Sequence, residues 1–158
     1  MSSDTTVFLP DESSTQQLGA RLAQGLAKID LPNGAVIHLQ GDLGAGKTTL
    51  VRALLKALGH QGAVKSPTYS LVESYRLPAL MVHHFDFYRF ESEEEFFEAG
   101  LQELFDEGAL CLVEWPDKAG QFLPPADWVV RLNHLPEGRE CVVSACSALG
   151  EQILMELR

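Results

Sequence analysis

The sequence predicts a three-layer α/β domain, with a mostly parallel central sheet, antiparallel hairpins beside it and helices on its faces. Three observations lead there. Ala35–Gln40 and Ala109–Val113 are apolar runs with the length of strands buried on both faces. Ser14–Leu26 and Lys47–Leu58 repeat leucine every four residues, the spacing of one helix face. Two further pairs of extended runs are separated by short turns, as hairpins are. Mixed β and α elements in this order, without internal repeat or dividing linker, predict a single domain over residues 1–158.

Taken in order, Thr6–Leu9 is a short strand ended by Pro10. Asp11, Ser13 and Ser14 are candidate N-caps for a helix whose inward stripe is Leu18, Leu22 and Leu26. Pro32-Asn33-Gly34 turns the chain into the strand Ala35–Gln40, and Gly41–Gly46 is a glycine-rich junction. The helix Lys47–Leu58 turns Leu50, Leu54 and Leu58 inward and stops at Gly59. Lys65–Thr68 is loop; Tyr69–Tyr75 and Leu80–Asp86 are strands around the Leu77-Pro78-Ala79 turn. Glu93–Gly100 and Leu101–Phe105 read as helical, and Ala109–Val113 as a central strand. Pro116, Gly120, Pro124 and Pro125 break the chain between this strand and Trp128. Trp128–His134 and Glu140–Ala145 form a last hairpin across Leu135–Arg139, and Gly150–Leu157 is a closing helix.

Composition removes several function classes. The net charge of −10 is concentrated: Glu91–Glu107 carries eight acids and no Lys or Arg, which leaves 14 acids against 12 bases elsewhere. Direct binding of nucleic acid is disfavoured, because phosphate neutralisation needs basic patches. The acidic run reads as a solvated helix face, with a docking surface for a basic partner as the sharper alternative. No apolar run reaches membrane-span length, and Met1–Thr6 is polar without Lys or Arg, so a cytoplasmic chain without leader or anchor is expected. Cys111, Cys141 and Cys146 lack metal-ligand spacing and read as reduced thiols packed as small hydrophobes.

Gly41-Asp42-Leu43-Gly44-Ala45-Gly46-Lys47-Thr48 fits GxxxxGK[ST] between a strand and a helix. Glycines let successive backbone N–H groups converge on one phosphate, and the helix N-terminus adds partial positive charge. Lys47 then reaches the β- and γ-phosphates, and the Thr48 hydroxyl is placed for Mg²⁺. At average residue usage the four fixed positions match by chance about once in 30,000 windows. An ordinary βα turn is therefore a poor explanation of this segment.

Two acids end strands at the edge where open α/β sheets bind ligands: Glu114 after the run Ala109–Val113, and Asp86. Each is a candidate to hold Mg²⁺ or to orient an attacking water. The Ser66-Pro67-Thr68 loop offers hydroxyls to a γ-phosphate. Trp115 reads as packing or as a reporter of nucleotide state; His83 and His84 read as hydrogen-bonded sheet histidines rather than metal ligands. The absence of an Asn-Lys-x-Asp motif favours adenine, and candidates for the base side are Asp11 and the Pro136–Arg139 tip. A small-molecule kinase is the alternative enzyme, but the seven arginines are scattered without a close pair to clamp an anionic acceptor. A non-catalytic nucleotide-binding scaffold is the other alternative.

Four segments in order resemble the TsaE (YjeE) ATPase family: GDLGAGKT at Gly41–Thr48, GHQGAVKSPTYSLVE at Gly59–Glu73, HFDFYR at His84–Arg89 and LCLVEW at Leu110–Trp115. The resemblance runs from Leu9 to the Gly138-Arg139 hairpin; Phe87 and Phe90 stand where leucine is more usual. It implies a P-loop NTPase fold and slow, partner-stimulated ATP hydrolysis in bacterial tRNA threonylcarbamoyladenosine synthesis. It also implies partners of the TsaD and TsaB type (the threonylcarbamoyltransferase and its noncatalytic paralogue), with tRNA met only through the complex. Residue by residue, it implies that Leu43, Gly44, Ala45, Gly46, Lys47 and Thr48 hold the phosphates, with Gly41 and Thr49 flanking them. It assigns Thr48 and Glu114 to Mg²⁺, makes Asp86 and the Ser66–Thr68 loop essential for turnover, and brings Asp11, Gly138 and Arg139 near the nucleotide.

Overall fold

The computed structural model describes residues 3–157. Met1, Ser2 and Arg158, and with them the start of the polar Met1–Thr6 segment and the last arginine, lie outside the described residues. The strands are β1 (Ser3–Leu9), β2 (Ala35–Gln40), β3 (Val72–Arg76), β4 (Met81–Asp86), β5 (Leu110–Glu114), β6 (Trp128–His134) and β7 (Arg139–Ala145). The helices are α1 (Glu12–Ala27), α2 (Lys47–Ala57), α3 (Glu94–Glu98), α4 (Gln102–Phe105) and α5 (Ala148–Met155), with 3₁₀ turns at Pro116–Lys118 and Gly120–Phe122. All seven strands join one sheet in the order β1-β7-β6-β2-β5-β4-β3. The inner four (β6, β2, β5, β4) run parallel, while the outer pairings are antiparallel. The predicted combination of parallel centre and hairpin flanks is what forms.

Strand alternation divides the core into two layers. Leu110 and Leu112 of β5 join Ile37, Leu39 and Val82 beneath the leucines of α1 and α2. Their neighbours Cys111 and Val113 point the other way, into an aromatic cluster with Phe85, Phe87 and Phe96. The rings of Phe85 and Phe105 stack there at 4.6 Å, and Phe87 and Phe90 at 4.7 Å. Each large side chain so buried contributes about 1.5–3 kcal/mol of transfer free energy. Helices α1 and α2 cross closely because position 19 lacks a side chain: a Cβ on Gly19 would lie 2.6 Å from that of Ala53.

Several boundaries differ from the sequence reading, each for a local reason. Strand β1 starts at Ser3 rather than Thr6, because its backbone pairs along the whole of β7 and needs no apolar side chain to do so. Helix α1 begins at Glu12, since Asp11 of the three candidates is the N-cap: its Oδ1 accepts from the Ser14 N–H at 2.8 Å. Strand β3 starts at Val72 rather than Tyr69. Residues 67–71 form a turn in which the Leu71 N–H donates to the Pro67 carbonyl at 2.8 Å, with Leu71 left-handed at φ 71°. Helix α5 begins two residues early because Ser147 caps it through the Gly150 N–H. The acidic segment folds as the two helical stretches expected, shortened to α3 and α4, but three of its carboxylates are engaged rather than simply solvated. Glu95 caps the Ser92 N–H at 3.0 Å, Glu93 accepts from the Gln121 N–H at 3.2 Å, and Glu107 meets His83 at 3.0 Å.

Cys111 and Cys141 are buried thiols, pushed up to about 12 by burial, but Cys146 is exposed and not packed as expected. Among the described residues no helix is long and apolar enough to cross a membrane.

Candidate functional site

Parallel pairing puts the carboxyl ends of β2, β4 and β5 at one edge of the sheet, and the chemistry-bearing residues collect there. The loop after β2 enters α2 through Gly46, the N-cap, at φ 109°. That left-handed conformation costs glycine little and any other residue more. The first turn of α2 leaves its N–H groups without intrahelical acceptors and carries the positive end of the helix dipole. Against this turn lies a cavity of about 410 Å³ that Gly44, Lys47, Thr48, Thr68, Asp86 and Glu114 line together.

Lys47 is buried at 5% exposure. Its Nζ donates to the Gly41 carbonyl at 2.5 Å and lies 3.8 Å from the centre of the Trp115 ring. Burial lowers the pKa of this amine, opposed by the charges of Glu114, Asp86 and Asp42. Trp115 itself sits in the left-handed region at φ 57°, a strained conformation for an aromatic residue, and packs on Tyr88 at 5.0 Å between centroids.

Asp86 accepts from the Tyr88 N–H at 2.9 Å and from the Thr68 hydroxyl at 3.3 Å, and that hydroxyl is 2.7 Å from Ser66 Oγ. The 66–68 loop is thereby tied to the end of β4. Burial pushes the Asp86 carboxyl above its usual range; the Tyr88 N–H works against this, and the nearby charge of Glu114 adds to it. Glu114 is the register partner of Asp86 on β5, and its Oε2 lies 2.6 Å from His84 Nε2. The Thr48 hydroxyl and these two carboxylates are hard oxygen donors at one cavity, a set that fits Mg²⁺. Among the described residues no three His, Cys, Asp or Glu side chains form a metal cage by themselves. Magnesium commonly completes its shell with phosphate oxygens and water instead.

A second cavity, about 310 Å³, lies on the other side of the loop. Asp11, Gly138 and Arg139 line it with Gly44, Ala45 and Thr49, so the structure brings the base-side candidates next to the loop. Arg139 Nη2 donates weakly to the Gly44 carbonyl at 3.4 Å. Both hydrogen bonds from Ser14 go to Asp11 Oδ1 and hold this carboxyl below its usual range. Gly41 lines neither cavity and takes part only through its carbonyl. Leu43 stands 63% exposed at the mouth of the first cavity.

Sequence reasoning missed two relationships, the bond of His84 to Glu114 and the seat of Lys47 on Trp115. The first had a partial signal, because His84 and Asp86 are two apart and share a strand face. Which strand lies beside β4 could not be read from spacing. His83, on the opposite face, is bonded to Ser74 Oγ at 2.7 Å and to Glu107, as a satisfied sheet histidine.

A strand–GxxxxGK[ST]–helix unit at the edge of a parallel sheet, flanked by two buried strand-end carboxylates, defines the class: an α/β protein with a glycine loop set for anions. The family model for "Threonylcarbamoyl adenosine biosynthesis protein TsaE" matches residues 9–141, and the chain belongs to the TsaE family. The tRNA threonylcarbamoyladenosine biosynthesis protein TsaE of Haemophilus influenzae is 41% identical over 149 residues, covering 94% of each chain. The protein of that name from Synechocystis is 41% identical over 119 residues, or 72% of this chain and 71% of its own. In three dimensions the fold is similar to the crystal structure of Bacillus subtilis YdiB. The TM-score is 0.81 at 27% identity, over 99% of this chain and 95% of the other.

Proposed function

We propose that this chain is a cytoplasmic ATPase of tRNA threonylcarbamoyladenosine biosynthesis. It binds ATP with Mg²⁺ and hydrolyses it slowly, as a nucleotide-dependent switch on a threonylcarbamoyltransferase and its noncatalytic paralogue. The observation that carries this reading is the convergence of Lys47, Thr48, Asp86 and Glu114 on one cavity at the start of α2. The names of the curated relatives support the pathway.

In this reading the N–H groups around Gly44–Thr48 hold the phosphates and Lys47 leaves the Gly41 carbonyl to neutralise them. Thr48 and one or both carboxylates hold Mg²⁺, which supplies charge neutralisation on the phosphate oxygens. Either carboxylate can also orient water, and Asp86 couples occupancy to the 66–68 loop through Thr68. Asp11 and Arg139 flank the adenosine side. Loop ordering on ATP binding and release on hydrolysis is the switch that partners sense. The acidic chain, with few free cations, meets tRNA only through the complex.

Reconstitution tests the reading. Threonylcarbamoyladenosine formation is followed over many turnovers with and without this chain, with ATP or a nonhydrolysable analogue. Sustained turnover only with the chain and hydrolysable ATP is the expected result. Equal formation without the chain, or fast ADP production that depends on a small-molecule acceptor alone, contradicts it.

A further inference from the structure

Building on the hydrolytic reading of the cavity, we infer that His84 is a positioning residue that fixes the carboxylate of Glu114. The two side chains come from adjacent parallel strands and face the α2 side of the sheet, where they are 0% and 5% exposed. Nε2 of His84 lies 2.6 Å from Oε2 of Glu114, a close hydrogen-bond contact. Nδ1 of the same ring is buried and, among the described residues, has no hydrogen-bond partner.

That orphaned nitrogen argues against a purely structural role. His84 is flanked on its strand face by Val82 and Asp86 and lies in register between Leu112 of β5 and Glu73 of β3. A leucine there fills similar space without burying an unsatisfied polar atom, which is a cost seldom carried without function. What the imidazole adds is one donor aimed at Oε2, leaving Oε1 for whatever enters the cavity. A glutamate at a strand end otherwise has free rotamers, and the Lys47 charge draws on it. Anchoring by His84 holds Glu114 beside β4 instead of letting it collapse onto Lys47. The arrangement matches the common pattern in which an outer residue orients a metal- or water-binding carboxylate.

The test uses the full chain with His84→Ala, His84→Gln and His84→Leu, the last keeping a folded variant if the cavity left by alanine is not tolerated. For Ala and Leu, kcat for ATP falls about 10- to 100-fold and the Mg²⁺-dependent gain in ATP affinity shrinks. Affinity with Mg²⁺ chelated stays within about twofold of wild type, the extra affinity being what Glu114 orientation supplies. Gln, which donates from a similar reach, recovers part of both. Independently of turnover, ¹⁵N spectra of the wild-type imidazole show a proton on Nε2 whose signal moves in Glu114→Gln. Unchanged kcat and Mg²⁺ dependence in His84→Leu, or an Nε2 signal insensitive to Glu114→Gln, overturns the inference. A wild-type chain that binds no MgATP overturns the hydrolytic reading instead, and the imidazole spectrum still decides the role of His84 toward Glu114.

Discussion

Asp86 and Glu114 stand opposite each other at the ends of two adjacent parallel strands, buried to 7% and 4% exposure. Two carboxylates side by side in a buried site repel, and each also loses hydration. The result is visible in Asp86, whose carboxyl is raised first by burial and then by the charge of Glu114. Burying an ionised Asp86 beside Glu114 therefore costs stability.

Replacing Asp86 with asparagine therefore separates stability from function. The folded pKa of Asp86 lies above the unfolded value of 3.8, so its stabilising contribution is complete below that pH and is lost as pH rises through the folded value. At neutral pH, Asp86→Asn raises the Tm of the ligand-free protein, by about 2–4 °C for each kcal/mol relieved, while turnover falls. Thermal melts at pH 4 and pH 7 check the sign. A gain that vanishes at pH 7 contradicts burial and charge repulsion as its origin.

The same shift predicts the acid limb of MgATP binding. Protonated Asp86 neither holds a cation nor accepts as a carboxylate. Affinity for MgATP thus declines as pH falls through a value above the ordinary 3.8 of an aspartate, and the limb moves in Asp86→Asn. Calorimetric titration across pH 4–8 follows it.

In the proposed reading, Glu114→Ala removes a metal or water ligand without touching the phosphate loop. Hydrolysis drops by about 100-fold or more, and ATP affinity is retained within several-fold. Full ATPase rates in this variant would remove Glu114 from the reaction.

Trp115 is placed to report on Lys47. Its ring carries the lysine at 3.8 Å, whereas Trp128 is wholly buried with Nε1 donating to the Gly150 carbonyl. Adding MgATP changes the Trp115 emission, and Trp115→Phe abolishes the response. A response that survives in Trp115→Phe assigns the signal elsewhere.

The close crossing of α1 and α2 gives a control remote from the chemistry. Gly19→Ala gains about 1 kcal/mol of helix propensity but overpacks against Ala53 by roughly 1–3 kcal/mol. Overpacking wins, so the Tm falls by about 2–4 °C for each kcal/mol of net loss, with MgATP affinity unchanged.

The glycine loop was legible because its chemistry is local: spacing, glycine and the following helix lie within one segment. Asp86 and Glu114 were legible because both end apolar runs, and parallel strands end on the same side. The 67–71 turn was not, because Tyr69, Ser70 and Leu71 alternate apolar and polar as a strand does, while the left-handed Leu71 packs against the aromatic cluster and accepts from the Asp86 N–H at 3.0 Å. The bond of His84 to Glu114 required knowing that β4 and β5 are neighbours in that register, a fact held in packing rather than in either segment. Likewise the polar start of β1 pairs only because β7 offers it an edge.

Calorimetric titration of MgATP into the wild-type chain and Lys47→Ala is the most direct measurement. Saturable one-site binding in the wild type, weakened roughly 10- to 100-fold in Lys47→Ala by the lost charge-assisted bonds, is the predicted result. No heat of binding at millimolar MgATP, or equal affinity in both proteins, contradicts a nucleotide site built on Lys47.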